Sequence, residues 1–379
     1  MLLGSKLGNK GFFHNSGDRL NKAQSQWYVS LTIMVVLLLV MGMANLYSAS
    51  LGHSYFFRQL RNLIVIVPAF LICAFALPVR RVYHATWWIY LGCCLLLTVV
   101  VVLGKVAGGA QRWVSIGPIG FQPSEFAKLV TAIVTARFFA SQRIMTPYRL
   151  RELWPIMGVV GVLFVLIFIQ PDFGTAGMCL LIFMSQLLFI RIDMRSVVTV
   201  AVASPIMGVL GWVLALRPYQ KQRILNLFNP DLDPQNTGYN SLQSLIAIGS
   251  GDLFGKGFMK GTQAHLQFLP ERHTDFVFSV LAEENGLFGG AIVFLMFSLL
   301  TYISLEIARH ARDTFSSLLA IGIAAFIFWE FAINIAMVLG LFPVVGLPLP
   351  FFSYGSSNLL TVCVALGLLI SINRESISD

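Results

Sequence analysis

Ten apolar runs, most of them near the roughly 20 residues that an α-helix needs to cross a bilayer, limit what this chain can become. They fall at about 27–48, 60–78, 83–103, 124–140, 155–169, 174–190, 197–216, 276–308, 314–340 and 356–373. With 57% hydrophobic and only 11% charged residues, a soluble globular domain is excluded. The expected fold is an all-α integral membrane protein of about ten transmembrane helices. The eighth run is longer than a bilayer is thick and is expected to extend beyond it or to tilt.

The charges give the orientation. Net charge is +9, and the basic residues gather in the N-terminal tail and in alternate short connections, such as Arg80 and Arg81, Arg149 and Arg151, and Arg309 and Arg312. The opposite short connections hold only Arg58, Arg61, Lys105 and Arg112. Lys and Arg accumulate on the cytoplasmic side, so both termini are expected inside (N-in/C-in) and the long loop 217–275 outside. The chain then divides into a polar cytoplasmic tail, 1–26, and a single ten-helix domain, 27–374. The run that follows the tail is too long for a signal h-region and lacks a small-residue cleavage site, so no cleaved signal is expected. The five cysteines all lie within apolar runs and read as small core residues rather than disulfides or ligands.

The polar chemistry is concentrated in the outer connections. In KVAGGAQRWVSIGPIGFQPSEFAKL, a glycine-rich loop with Arg112 leads through Pro123, a favoured first helical residue, into a helix bearing Glu125 and Lys128. These two are three apart and share a face, so they can pair. Ionisable groups inside a membrane are costly and are functional candidates by default, which leaves structural pairing and a functional site both open. Asp172, in QPDFGT, is either a turn residue or a group facing the outer cavity. In the long loop, Leu242, Leu245 and Ile246 recur at helical spacing among polar neighbours, as in a helix lying on the membrane surface. The glycines at 249, 251, 255 and 257 read as turns. The proline-rich GLFPVVGLPLPFFSYGSS excludes regular helix and suits either an aromatic interfacial anchor or a cavity wall.

The densest cluster is LPERHTDFVFSVLAEENG, where Glu271, Arg272, His273, Thr274 and Asp275 run into an apolar helix. Asp275 can be a helix-terminal carboxylate, with its pKa lowered by the helix dipole, or a general base whose apolar neighbours raise it. Residue types alone leave both open. No nucleotide-binding, zinc-protease or serine-hydrolase motif is present. His265, Glu271, His273 and Asp275 could be assembled into a metal site, but their spacing follows no standard ligand pattern, and no metal ligand is assigned.

LPERHTDFVFSVLAEENGLFGG, together with GAQRW, QPSEFAK, QPDFGTA, GYNSLQSLIAIGSGDLFGKGF and GLPLPFFSYGSSNLL, resembles the SEDS family (shape, elongation, division and sporulation) of peptidoglycan polymerases. The motifs occur in family order over nearly the whole chain, and KGTQAHLQFLPERHTDF is similar to the elongation-type members. One departure is Ser353-Tyr354-Gly355-Ser356-Ser357, where the family usually has two glycines in succession. The resemblance implies a peptidoglycan glycosyltransferase of the cytoplasmic (inner) membrane, its site facing outward, that joins lipid II into β-1,4 glycan strands during cell elongation. It also implies a class B penicillin-binding protein as partner. It places the essential aspartate at Asp275 and substrate contacts at Arg112, Glu125, Lys128, Asp172, Arg272 and His273. A divalent cation, Mg2+ or Mn2+, is a conceivable aid to the pyrophosphate leaving group. The competing readings are a flippase for lipid-linked precursor and a non-catalytic scaffold. A flippase should carry polar groups along its whole path, whereas the inner halves of these helices read as apolar.

Overall fold

The computed structural model describes residues 10–51, 54–103, 105–107, 110–116, 119–142, 147–228, 237–266 and 268–377. In chain order the helices are α1 (Lys10–Ala49), α2 (Ser54–Leu71), α3 (Val79–Leu103), α4 (Pro123–Ser141), α5 (Leu150–Ile169), α6 (Phe173–Leu187) and α7 (Met194–Leu210). Next come α8 (Pro218–Phe228), α9 (Thr237–Gly249), α10 (Thr262–His265), α11 (Val277–Arg309), α12 (Thr314–Val338) and α13 (Ser356–Ile377). Single π-helical turns, Ile72–Ala76 and Gly211–Ala215, finish α2 and α7. The protein is a nearly all-helical, multi-pass membrane protein.

Each of the ten apolar runs is helical, and eight helices among the described residues are long and apolar enough to cross a bilayer. The other two expected spans fall outside that set for reasons of length and charge. The 15-residue α6 is short, and α4 carries Glu125, Lys128 and Arg137 within its 19 residues. Helix ends also run past the apolar runs. Arg58 and Arg61 lie on α2, Arg80 and Arg81 on α3, and α1 continues back to Lys10, because a helix ends at a breaker rather than where its side chains turn polar.

α12 and α13 form the centre, with 78% and 83% of their most apolar stretches enclosed by protein, whereas none of α7 is. α12 packs against α4, α6 and α11, and α4 packs in turn against α3 and α6. The α3–α4 connection contains three short antiparallel strands, β1 (Lys105–Ala107), β2 (Ala110–Ile116) and β3 (Ile119–Phe121). Arg112 lies on β2, between Gln111, which pairs with Val106, and Trp113, which pairs with Lys105.

α11 does not run straight through the bilayer. Gly286 adopts φ 66° and ψ −165°, which splits α11 into a short N-terminal half and a long C-terminal half. The break is filled by the segment after α9. Leu287 and Phe288 donate to the carbonyls of Asp252 and Leu253, while Lys256 and Gly257 donate to those of Glu283 and Glu284. A broken helix survives at membrane depth only when neighbouring protein satisfies its freed backbone groups, and this strap does so. Its contact requires glycine: a Cβ on Gly286 would lie 2.4 Å from the Gly255 nitrogen, and one on Gly255 2.1 Å from the Glu284 carbonyl. Of the glycines expected in turns, Gly249 is instead the last residue of α9, whereas Gly251, Gly255 and Gly257 lie in the non-helical strap, where Gly251 and Gly255 allow its close approach to α11. Glu283 fixes the strap from below, accepting from Lys256 Nζ (2.7 Å), Thr262 Oγ1 (3.0 Å) and the Gln263 amide (3.1 Å).

Candidate active site

The segment 271–276 is a chain of turns. Glu271 sits at φ 53°, and its carbonyl accepts from the amides of Thr274 and Phe276. The N-cap position of α11 falls to Phe276, one residue beyond Asp275. The Thr274 hydroxyl turns back to the Glu271 carboxylate at 2.8 Å. Asp275 is partly exposed, and its Oδ2 lies over the backbone of Gly346, where a Cβ would come within 3.3 Å of it. Gly346 has φ 71°, so this position favours glycine on backbone grounds as well.

The 346–355 loop holds the other side of the segment. Tyr354 donates its amide to the His273 carbonyl (2.8 Å) and Ser353 Oγ donates to the Thr274 carbonyl (2.6 Å). The His273 ring stacks on Tyr55 with centroids 4.0 Å apart. Burial there pushes the imidazole below its ordinary pKa, despite the nearby Glu271, so it is neutral at pH 7. Arg272 points its Nε at the Ala49 carbonyl at the end of α1 (2.9 Å). Arg272, His273 and Asp275 thus share one rigid segment, with the first two facing α1 and α2 and the third facing the 346 loop.

Below this segment lies a buried ionic cluster. Lys128 is fully buried and its Nζ lies 2.8 Å from Glu125 Oε2 and 2.7 Å from Glu330 Oε1. Asn358 donates to both of those oxygens, at 2.8 and 2.6 Å. The pairing that the spacing of Glu125 and Lys128 allows is present, and it is extended by Glu330 from α12 and Asn358 from α13. Both partners were missed by sequence reasoning. Glu330 was detectable as the single acid in the apolar stretch FIFWEFAIN; Asn358 carries no comparable signal.

Asp172 is the N-cap of α6, its side chain accepting from the Thr175 amide. Its Oδ2 also accepts from Ser124 Oγ (3.1 Å) and Gln122 Nε2 (3.2 Å), and the Gln122 amide donates to Ser357 Oγ (2.8 Å). Asp172 is therefore the turn residue and helix cap, tied to the start of α4; its side chain is buried and is not among the residues lining the adjacent cavity. Asp172, Glu125, Lys128, Glu330 and Asn358 form one polar layer at the N-terminal ends of α6, α4 and α13 and along α12. Pro171, Phe173, Leu216, Val344 and Val345, together with Gln220 and Arg223, line a mostly apolar cavity of about 190 Å³. Pro171 and Val345 are the chain neighbours of Asp172 and Gly346, neither of which lines the cavity itself. The Arg112 side chain lies outside the described residues, as does that of His265. Among the described residues no three His, Cys, Asp or Glu side chains gather to hold a metal ion.

Comparison with known proteins supplies the deciding observation: the model of the FtsW/RodA/SpoVE family, described as cell cycle protein, matches residues 24–378. The chain belongs to this family. It is 41% identical over 302 residues to the Escherichia coli protein named peptidoglycan glycosyltransferase MrdB, covering 78% of this chain and 80% of that one. It is 35% identical to stage V sporulation protein E of Bacillus subtilis, covering 91% and 96%. Among solved structures it matches, with a TM-score of 0.80 and 28% identity over 92% of this chain and 98% of the other, a protein from a study of polymerization and crosslinking by a peptidoglycan synthase complex. The rod-shape-determining protein RodA of Thermus thermophilus matches with a TM-score of 0.69 and 27% identity, over 92% of this chain and 97% of the other.

Proposed function

We propose that this FtsW/RodA/SpoVE family member, a peptidoglycan glycosyltransferase, polymerises lipid II on the outer face of the cytoplasmic membrane during cell elongation, with Asp275 as its general base. The observation that carries the reading is the Asp275 carboxylate. It is partly exposed, lies over Gly346, and sits on a segment pinned by Tyr354 and Ser353 above a closed polar layer. In this reading the 4-hydroxyl oxygen of the acceptor sugar attacks the anomeric carbon of the donor while Asp275 takes the hydroxyl proton. The bond between that carbon and the pyrophosphate oxygen breaks, the configuration inverts to give the β-1,4 linkage, and the polyprenyl pyrophosphate departs.

Arg112 and Arg272 are the groups proposed to meet the pyrophosphate charge. Lys128, spent on two carboxylates and fully buried, and Glu125 and Asp172 are assigned to shaping the floor of the site. The neutral His273 ring is proposed as a flat wall for a sugar face. The described residues do not offer a ligand set for a resident metal. Holding two lipid-anchored substrates in one groove removes an entropic barrier that reaches roughly 7–11 kcal/mol in well-oriented reactions. A class B penicillin-binding protein is the proposed partner, crosslinking the strands as they emerge.

The test is reconstitution in liposomes with that partner and labelled lipid II, with and without chelator. Glycan strands formed from lipid II supplied in the outer leaflet support the polymerase. Movement of labelled lipid between leaflets without polymer would instead support a flippase. Unchanged polymerisation with chelator fits a site that holds no metal.

A further inference from the structure

We infer that Asn334, one turn before the C-terminal end of α12, is the positioning residue that holds the Asp275 carboxylate against the 346 loop; this rests on Asp275 being the base. The Asn334 side chain is fully buried, and its single NH2 group donates to two backbone carbonyls, that of Asp275 at 3.0 Å and that of Leu347 at 2.7 Å. These belong to the two segments that must meet for the Asp275 side chain to lie over Gly346. One amide therefore sets the spacing between the base and the wall it faces.

The amide orientation is dictated by its partners, since a flipped Asn would aim its oxygen at two carbonyl oxygens. In the orientation that works, Oδ1 is buried with no hydrogen-bond partner among the described residues. An orphaned buried acceptor costs free energy, and such groups in native structures call for a reason beyond packing. The reason assigned here is alignment of the two segments. α12 is suited to carry it. Glu330, one turn before Asn334 on the same face, is locked to Lys128 and Asn358. One turn after, the Val338 carbonyl accepts from Ser244 of α9 at 2.7 Å. Asn334 thus projects from a post fixed both below and above.

The experiment compares Asn334→Leu, Asn334→Gln, Asp275→Asn and the double variant Asn334→Leu/Asp275→Asn in lipid II polymerisation, with lipid II binding and thermal unfolding measured on each. Displacement of a reacting group by about 1 Å can cost about 10²-fold in rate. Asn334→Leu is therefore expected to lower kcat by roughly that factor, with KM and lipid II affinity little changed. Asn334→Gln, which keeps the donors on a longer stem, is expected to retain part of the activity. In the Asp275→Asn background the Asn334 change should have no further effect. The inference is overturned if Asn334→Leu or Asn334→Gln has normal kcat per folded molecule, or if the Asn334 and Asp275 losses multiply. An Asn334→Leu protein too unstable to assay leaves Asn334→Gln to decide. If Asp275→Asn itself polymerises normally, the base assignment fails first, independently of any Asn334 result.

Discussion

Lys128 sets one positive charge against two carboxylates in a buried cluster, and the arithmetic of that cluster predicts unequal effects from its members. Lys128→Met leaves Glu125 and Glu330 facing each other uncompensated, and losing one partner of a buried ion pair costs about 3–5 kcal/mol. Glu330→Gln leaves a matched Lys128–Glu125 pair and keeps an oxygen for Lys128 and Asn358. Thermal unfolding in detergent should therefore show a large loss for Lys128→Met and a much smaller one for Glu330→Gln; equal losses would refute this reading of the cluster. His273 supplies a pH test at the same scale. Its folded pKa lies below the ordinary value of about 6.5, so the folded state resists protonation. Its contribution to stability is complete above pH 6.5 and is lost as pH falls toward the folded pKa. Between pH 7.5 and 5.5 the wild type should lose more of its unfolding temperature than His273→Gln does. The i,i+3 spacing made the Glu125–Lys128 pair legible in the sequence, whereas Asn334 and Asn358 were not: a lone uncharged amide in an apolar helix barely alters hydropathy, and its partners are set by tertiary packing.

Elements were legible where they depend on hydropathy and hidden where they depend on contact. Every apolar run became a helix, and the helical spacing of Leu242, Leu245 and Ile246 became α9, with all three left exposed on its surface. The split of α11 was not readable, because a single glycine in an apolar run is tolerated in a helix and the strap that fills the break comes from elsewhere in the chain. The β1–β3 meander was equally hidden, its strands being short and interrupted by glycine. Gly286 carries the corresponding prediction. With φ 66° and the Leu253 carbonyl carbon 2.6 Å from an added Cβ, Gly286→Ala must push the 250–257 strap off α11. Limited proteolysis should then cut the variant within the strap, while the wild type resists; equal resistance would mean that the strap does not depend on the break.

At the scale of the whole molecule, the chemistry gathers toward one end of the bundle, and orientation decides whether that end meets the outer leaflet. The basic residues in alternate connections are expected to lie with both termini on the cytoplasmic side, an orientation under which the strap and Asp275 would lie outside. In a cysteine-free background, Lys260→Cys should react with an impermeant thiol reagent on intact cells and Thr314→Cys only after permeabilisation; the reverse pattern would invert the site and end the polymerase reading. The fold class and the family followed from apolar runs and ordered motifs, while the arrangement that makes Asp275 a plausible base came only from the meeting of the 271–276 segment, the 346 loop and α12. The most direct measurement is therefore single-turnover polymerisation of purified lipid II by the wild type and by Asp275→Asn, each with its penicillin-binding partner. Loss of a general base costs about 10²- to 10⁴-fold. A loss of that size, with lipid II binding and thermal stability unchanged, is the predicted result, and polymerisation at the wild-type rate by a folded Asp275→Asn protein would contradict the account.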